Sequence, residues 1–235
     1  AGPQLAAPAV GLSTAPVTPR GPGSPATPAA ARPARRPLTQ HVSILALVDV
    51  SGSMAAVVPG TNQTKLQVAI AAAGNSLQFF ADADRIGLWE FSSQLAGARD
   101  YRELVPLGPA GGTVGGRTRR QASLAAYATL TPGGSTGLYN SVFAAYSAAQ
   151  AQYQPGFVNA IVVLTDGVNE SPTGLNLPTL LAKLTAAYNP SQPVHVVTIG
   201  YGQDADPQVL SQIAKATEGL SFMSVDPRNI GQVFL

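Results

Sequence analysis

The sequence predicts a doubly wound α/β fold: a mostly parallel six-stranded sheet with one antiparallel edge strand and helices on both faces. Three observations lead there. Two continuous apolar runs, Ser43 to Val48 and Ala160 to Leu164, stop abruptly at Asp49 and at Thr165-Asp166, as strands buried on both faces of a parallel sheet do. Segments with apolar residues at helical spacing alternate with the strands. One pair of strands is joined too briefly for a crossover helix, which makes it an antiparallel pair at a sheet edge.

Residues 1 to 40 hold nearly half of the 20 prolines among Ala, Gly, Ser and Thr, without apolar periodicity. Such a stretch buries too little surface to offset its ordering entropy, so it reads as a disordered, extended linker, with the globular domain over 41 to 235. Strand one is Ser43 to Val48. Thr64 with Gln67 forms a capping box ahead of Leu66, Ile70, Ala73, Leu77 and Phe80, the stripe of the first crossover helix. Arg85 to Phe91 and Tyr101 to Val105 are the edge pair. Leu107 to Gly116 (LGPAGGTVGG) reads as a glycine-rich connection. It lacks the GK[ST] ending and the preceding apolar strand of a phosphate loop. Arg119 to Leu130 is helical and ends before Pro132. Leu138, Val142, Ala145 and Ala149 stripe the next helix, which leads to the second apolar strand. A helix around Leu177, Leu180, Leu181 and Leu184 follows, then a strand over Pro193 to Ile199. Asp206-Pro207 makes an N-cap and N1 pair opening a helix through Ala216. Leu220 to Val225 is the last strand, and Asp226-Pro227 opens a final helix carrying Ile230, Val233 and Phe234.

A chain of 235 residues that is 45% hydrophobic can build one substantial core. No apolar run reaches the roughly 18 residues of a membrane-spanning helix. The basic balance is misleading as to partners. Arg20, Arg32, Arg35 and Arg36 lie in the acid-free tail, and removing them from 14 basic residues leaves ten against 12 acidic ones, about −2. That is no nucleic-acid footprint. The absence of cysteine excludes disulfides and thiolate metal sites but leaves the compartment open. The chain starts at Ala1 without a signal-peptide pattern, and reads as a processed or excised piece.

Ligands of open α/β sheets sit outside the carboxyl ends of strands, where strand order reverses, and Asp49 and Asp166 stand at such ends. Asp49-Val50-Ser51-Gly52-Ser53 places one carboxylate and two hydroxyls at alternating positions of one loop, with Gly52 allowing a tight bend. Gly133-Gly134-Ser135-Thr136 precedes a helix, so Thr136 offers a third hydroxyl at a helix N-terminus. Hydroxyl and carboxylate oxygens are hard ligands suited to Mg²⁺ first, or to Mn²⁺ or Ca²⁺, whereas zinc recruits Cys or His. Neutral hydroxyls leave most of the ion's charge unneutralised, so an open position attracts a partner's Asp or Glu.

Three segments, LVDVSGSM at 47 to 54, GGSTGLYN at 133 to 140 and LTDG at 164 to 167, resemble von Willebrand factor type A (vWA) domains in sequence, order and spacing. The resemblance covers Val42 to the C-terminus. It implies a Rossmann-like vWA fold and a metal-ion-dependent adhesion site (MIDAS). In that site Ser51, Ser53 and Thr136 would ligate the metal directly, with Asp49 and Asp166 largely through water. VVLTDGVNE, VHVVTIGYGQDAD and the Pro-rich lead-in are similar in particular to bacterial vWA domains attached to solute-binding modules at the cell surface. From this follow an extracytoplasmic location, in the envelope or secreted, and an N-terminal solute-binding module. One departure is Asn140, where related bacterial domains often carry Asp.

The expected function is divalent-metal-dependent capture of an acidic residue on a protein partner, without catalytic residues. Taken singly, the motif residues have plainer roles: Asp49 and Asp166-Gly167 as turn residues, Ser51, Ser53 and Thr136 as helix caps. Their combination favours the metal. An alternative is an intracellular vWA domain working with an ATPase in complex assembly or metal insertion. A phosphohydrolase of the haloacid dehalogenase kind fits less well. It wants a second acid where Ser51 stands and a lysine near the phosphate, and Lys183 sits mid-helix. A serine hydrolase lacks G-x-S-x-G and a placed histidine. His41 and His195 have no partner at ligand spacing and read as packing or solvated residues. Gly111 to Gly116 and the loop after Asp166 are expected to rim the site.

Overall fold

A computed structural model describes residues 40–171 and 173–224. Its main sheet has the order β3-β2-β1-β6-β7-β8, with β1 Val42–Asp49, β2 Arg85–Ala96, β3 Arg99–Pro109, β6 Val158–Thr165, β7 Val194–Tyr201 and β8 Ser221–Ser224. All neighbours are parallel except β2 and β3. This is the predicted doubly wound sheet with one antiparallel edge strand. The chain runs outward from β1 to β2 and β3, then returns to place β6 on the other side of β1. The switch point therefore lies between the carboxyl ends of β1 and β6.

Alternating side chains of the central strands feed two cores. Leu45, Leu47, Phe91, Ile161 and Val163 pack on one face against α3 (Leu138–Ala151), α4 (Leu177–Ala187) and α5 (Pro207–Lys215). Val48, Leu88, Leu164 and Ile199 pack on the other against α1 (Lys65–Ser76) and α2 (Arg119–Tyr127). Both central strands are thus buried on two sides, which explains why β1 and β6 read as unbroken apolar runs. Among the described residues no helix is long and apolar enough to cross a membrane.

The helix starts follow local chemistry. Thr64 and Gln67 form the expected reciprocal capping box, and the Asp206 carboxylate accepts from the amides of Gln208 and Val209. A second box, Thr118 with Gln121, starts α2, and the Asn176 side chain caps α4.

Two expectations need correction. The glycine-rich stretch is not one loop: β3 continues to Pro109, and Thr113–Val114 (β4) pairs with Arg117–Thr118 (β5) around Gly115 and Gly116, both at positive φ. Nor does it rim the site. Antiparallel β3 carries the chain back to the start of β2, where Ala110 and Gly111 donate to the carbonyls of Asp84 and Asp82. Gly111 to Gly116 therefore lies at the end of the sheet opposite Asp49. The loop after Asp166 is at the expected end. Val225, the helix expected after Asp226, and the linker up to residue 39 lie outside the described residues.

Candidate metal centre

The Asp49 and Asp166 segments are carried side by side by the paired strands β1 and β6, in register from Val42 and Val158 to Val48 and Leu164. After Asp49 the chain turns into a single 3-10 turn, Gly52–Ala55, so that Ser51 and Ser53 come to the same side. The Gly133 amide donates to the Val50 carbonyl at 2.7 Å, and the Gly52 amide to the Gly134 carbonyl at 2.8 Å. Those two bonds bind the first motif to the second. Ser93 braces it from β2, its amide donating to the Ser135 carbonyl and its hydroxyl accepting from the Ser135 amide. Close approach has a cost in side-chain room: a Cβ on Gly52 would stand 3.3 Å from the Gly134 carbonyl oxygen.

The five candidate ligands converge. Ser51 Oγ and Ser53 Oγ are 3.0 Å apart, and Ser53 Oγ donates to Asp166 Oδ1 at 2.7 Å. A Cβ built on Gly167 would lie 3.2 Å from Thr136 Oγ1 and 3.9 Å from Ser53 Oγ, so the second and third hydroxyls both border Gly167. Asp49, Ser51, Thr136 and Asp166 are buried, and Ser53 is exposed, so the cluster opens to solvent at Ser53.

Asp49 accepts from the Ser51 amide at 2.8 Å and from the Thr165 hydroxyl at 2.6 Å, both neutral donors. Burial pushes its carboxyl up to about 6, against the opposing pull of these hydrogen bonds, and the Asp166 charge adds to the rise. A fully buried carboxylate held only by neutral groups is a charge in want of a cation. That observation, with three hydroxyls at the same point, is the chemistry a hard divalent ion fits. Among the described residues no three His, Cys, Asp or Glu side chains gather as ligands, so the centre is a hydroxyl and carboxylate one or none. Ser51, Ser53 and Thr136 would hold the ion, with Asp49 and Asp166 supplying negative charge behind them.

The Asp49 shift has a measurable consequence without metal. Between about pH 4 and pH 6 the folded protein keeps a proton on Asp49 that the unfolded chain has released, so stability falls as pH rises through that window. Relative to Asp49→Asn, which cannot ionise, the metal-stripped parent is expected to lose on the order of 3 kcal/mol by pH 7. Urea unfolding of both proteins across this range measures the difference, and a difference independent of pH refutes the account of Asp49. Divalent-ion affinity rises through the same window, because a ligand must be deprotonated.

Besides Ser93, the sequence reading gave no role to Thr165, Glu170, Lys65 or Asp204. Thr165 holds Asp49, and Glu170 exchanges hydrogen bonds with the Thr136 backbone, fixing the loop after β6 to the start of α3. Lys65 Nζ stands 2.7 Å from Asp166 Oδ2 and 3.2 Å from Asp204 Oδ2. Partial desolvation works against its charge, but the two carboxylates outweigh it and hold the ammonium above its ordinary value. Asn140 belongs to a separate polar knot, donating to Asp100 Oδ2 at 2.8 Å and accepting from the Leu175 amide at 2.9 Å. An aspartate there would face the buried Asp100 carboxylate. The histidines are elsewhere: His41 Nδ1 pairs with Asp84 at 2.8 Å, and His195 Nδ1 lies 2.9 Å from the Thr217 carbonyl.

Comparison with known proteins bears on the family and the fold. The family model of the von Willebrand factor type A domain matches residues 43–234. Two curated Mycobacterium tuberculosis proteins are each 27% identical over 157 residues, 66% of this chain and 22% of theirs. The chain thus spans about a fifth of the length of the curated relatives it matches. Among solved structures, a von Willebrand factor type A protein from Catenulispora acidiphila superposes with a TM-score of 0.63 at 21% identity, over 83% of this chain and 41% of its own. The pilus adhesin SpaC from Lactobacillus rhamnosus GG gives 0.65 at 18%, over 85% and 30%. Proximal thread matrix protein 1 from the mussel byssus, described with a zinc-occupied MIDAS motif, gives 0.56 at 17%, over 83% and 47%.

Proposed function

Since the chain belongs to the von Willebrand factor type A domain family, a family of interaction modules that often depend on a metal, we propose that it binds a protein partner through a divalent cation held at Ser51, Ser53 and Thr136. The observation that carries this reading is the gathering of three hydroxyls around two buried carboxylates, one of which, Asp49, has no cationic partner among the described residues. When bound, the cation supplies an open coordination position for a carboxylate of the partner. The protein's residues do the rest. Asp49 and Asp166 supply the charge behind the hydroxyls, Glu170 and Ser93 hold the loops that carry them, and the exposed Ser53 marks the open side.

Mg²⁺ is the first ion to test, with Mn²⁺, Ca²⁺ and, in view of the mussel protein, Zn²⁺ beside it. An extracytoplasmic setting, with a further module before the Pro-rich linker, suits an adhesive role such as the pilus adhesin's name describes. The test is retention on immobilised peptides that carry a single Asp or Glu, compared with the same peptides carrying Ala. Retention by acidic peptides in Mg²⁺, lost in EDTA and in Ser51→Ala, is the expected result. Equal retention in Mg²⁺ and in EDTA would show a metal-independent surface instead.

A further inference from the structure

We propose that Lys65 is a tethered counter-cation of the centre, shared between Asp166 and Asp204, and that this sharing sets how tightly the centre holds a divalent cation. The inference rests on reading the centre as a cation site.

Lys65 is the first residue of α1, directly after the Thr64 cap. A positive charge there opposes the helix dipole, and the first turn has no acid to offset it, so helix stability gives no reason for a lysine. The side chain instead turns away into the centre and is 12% exposed. Its two acceptors differ in character. Asp166 is completely buried in the centre, whereas Asp204 is 73% exposed on the connection between β7 and α5. The chain at Gly202 passes close by, at a φ of +84°, and a Cβ there would lie 3.4 Å from Nζ. The ammonium is thereby confined between one inner and one outer carboxylate.

Charge then decides the effect. Asp49 and Asp166 carry two negative charges between them, and Lys65 cancels one by direct contact with Asp166. Two cations drawn to the same carboxylate repel, in a setting less screened than water, strongly enough to change affinity by tenfold or more. Asp204 relieves that repulsion, because it already accepts from Lys65 at 3.2 Å and can keep the ammonium without any backbone movement. Removing the lysine therefore tightens cation binding, while removing its outer acceptor weakens it. A lysine that merely oriented Asp166 would give the opposite sign at Lys65 and no effect at Asp204.

The experiment is calorimetric titration of Mg²⁺ alone into the metal-stripped chain, for the parent, Lys65→Met, Lys65→Arg and Asp204→Asn, with melting in EDTA and in Mg²⁺ alongside. Lys65→Met is expected to bind at least about tenfold tighter, and to melt lower than the parent in EDTA but gain more from Mg²⁺. Lys65→Arg keeps the charge and stays near the parent. Asp204→Asn, a change at an exposed side chain that leaves the fold intact, is expected to bind several-fold weaker. Unchanged or weaker binding by folded Lys65→Met overturns the inference, as does unchanged affinity in Asp204→Asn should the lysine variant not fold. A parent that binds no Mg²⁺ at all fails at the earlier step and removes the cation site itself.

Discussion

Replacing Asp166 by alanine is expected to weaken divalent-cation binding by about 100-fold or more, the upper range for losing a charged group beside a metal. The carboxylate sits at the end of β6 with no exposure, accepts from Ser53 Oγ, and with Asp49 supplies the negative charge of the centre. Its loss also leaves Lys65 with Asp204 alone, so the centre loses one negative charge at the moment it loses a ligand. Ser135→Ala, in the loop that carries Thr136 but acting through its backbone, is the control and should bind like the parent. Calorimetry on both variants, with folding checked by circular dichroism, reads the result. Parent-like affinity in Asp166→Ala would place the cation elsewhere.

The second large effect concerns stability. Phe91→Ala is expected to cost about 3 to 5 kcal/mol, because a fully buried ring leaves a cavity that its neighbours fill only partly. Phe91 lies in β2 opposite Asp49, and its carbonyl accepts from the Val50 amide at 2.9 Å. The ring thus packs beneath the strand end that launches the metal loop. Denaturant unfolding in EDTA measures the loss. A cost below about 1 kcal/mol would mean that this part of the core is not packed as described. Since added ligand stabilises only the folded state, Mg²⁺ should recover part of the loss.

What the sequence made legible and what it hid follow from the range of the interactions involved. Strands buried on both faces advertise themselves, and each of the two central ones ends on the acid of the centre, so β1 and β6 and their aspartates were readable together. Caps act within four residues, which made Thr64 and Asp206 readable, although Thr118 with Gln121 went unnoticed behind the glycines. The far half of the edge hairpin was harder. Ser92 to Ala96 is polar, and its strand character comes from pairing with β3 across a turn at Gly97, whose φ is +68°. Glycine composition likewise concealed the small β4–β5 pair. It also gave no information on which end of the sheet the stretch would occupy, and that depends on the antiparallel return of β3.

The site shows the same division. Residue types and spacing named Asp49, Ser51, Ser53, Thr136 and Asp166; hydrogen bonds link the first three to Asp166, and Thr136 Oγ1 borders Gly167 next to it. Lys65 lies 101 residues from Asp166 in sequence, and only the crossing of α1 over the switch point makes them neighbours. The signal available was a basic residue in the first turn of a helix, where the dipole disfavours it. Asn140 is the converse case: a motif position by alignment of residue types, yet its partners are Asp100, Thr173 and Leu175, outside the centre.

The central claim, that Asp49, Ser51, Ser53, Thr136 and Asp166 form a divalent-cation site, is tested most directly by calorimetric titration of Mg²⁺ into the metal-stripped parent at neutral pH, with folded Asp49→Ala and Ser51→Ala titrated in parallel. A saturable isotherm with one ion per chain is expected for the parent and none for either variant. No heat of binding from the parent with Mg²⁺, Mn²⁺, Ca²⁺ or Zn²⁺, or equal binding by the variants, would contradict it.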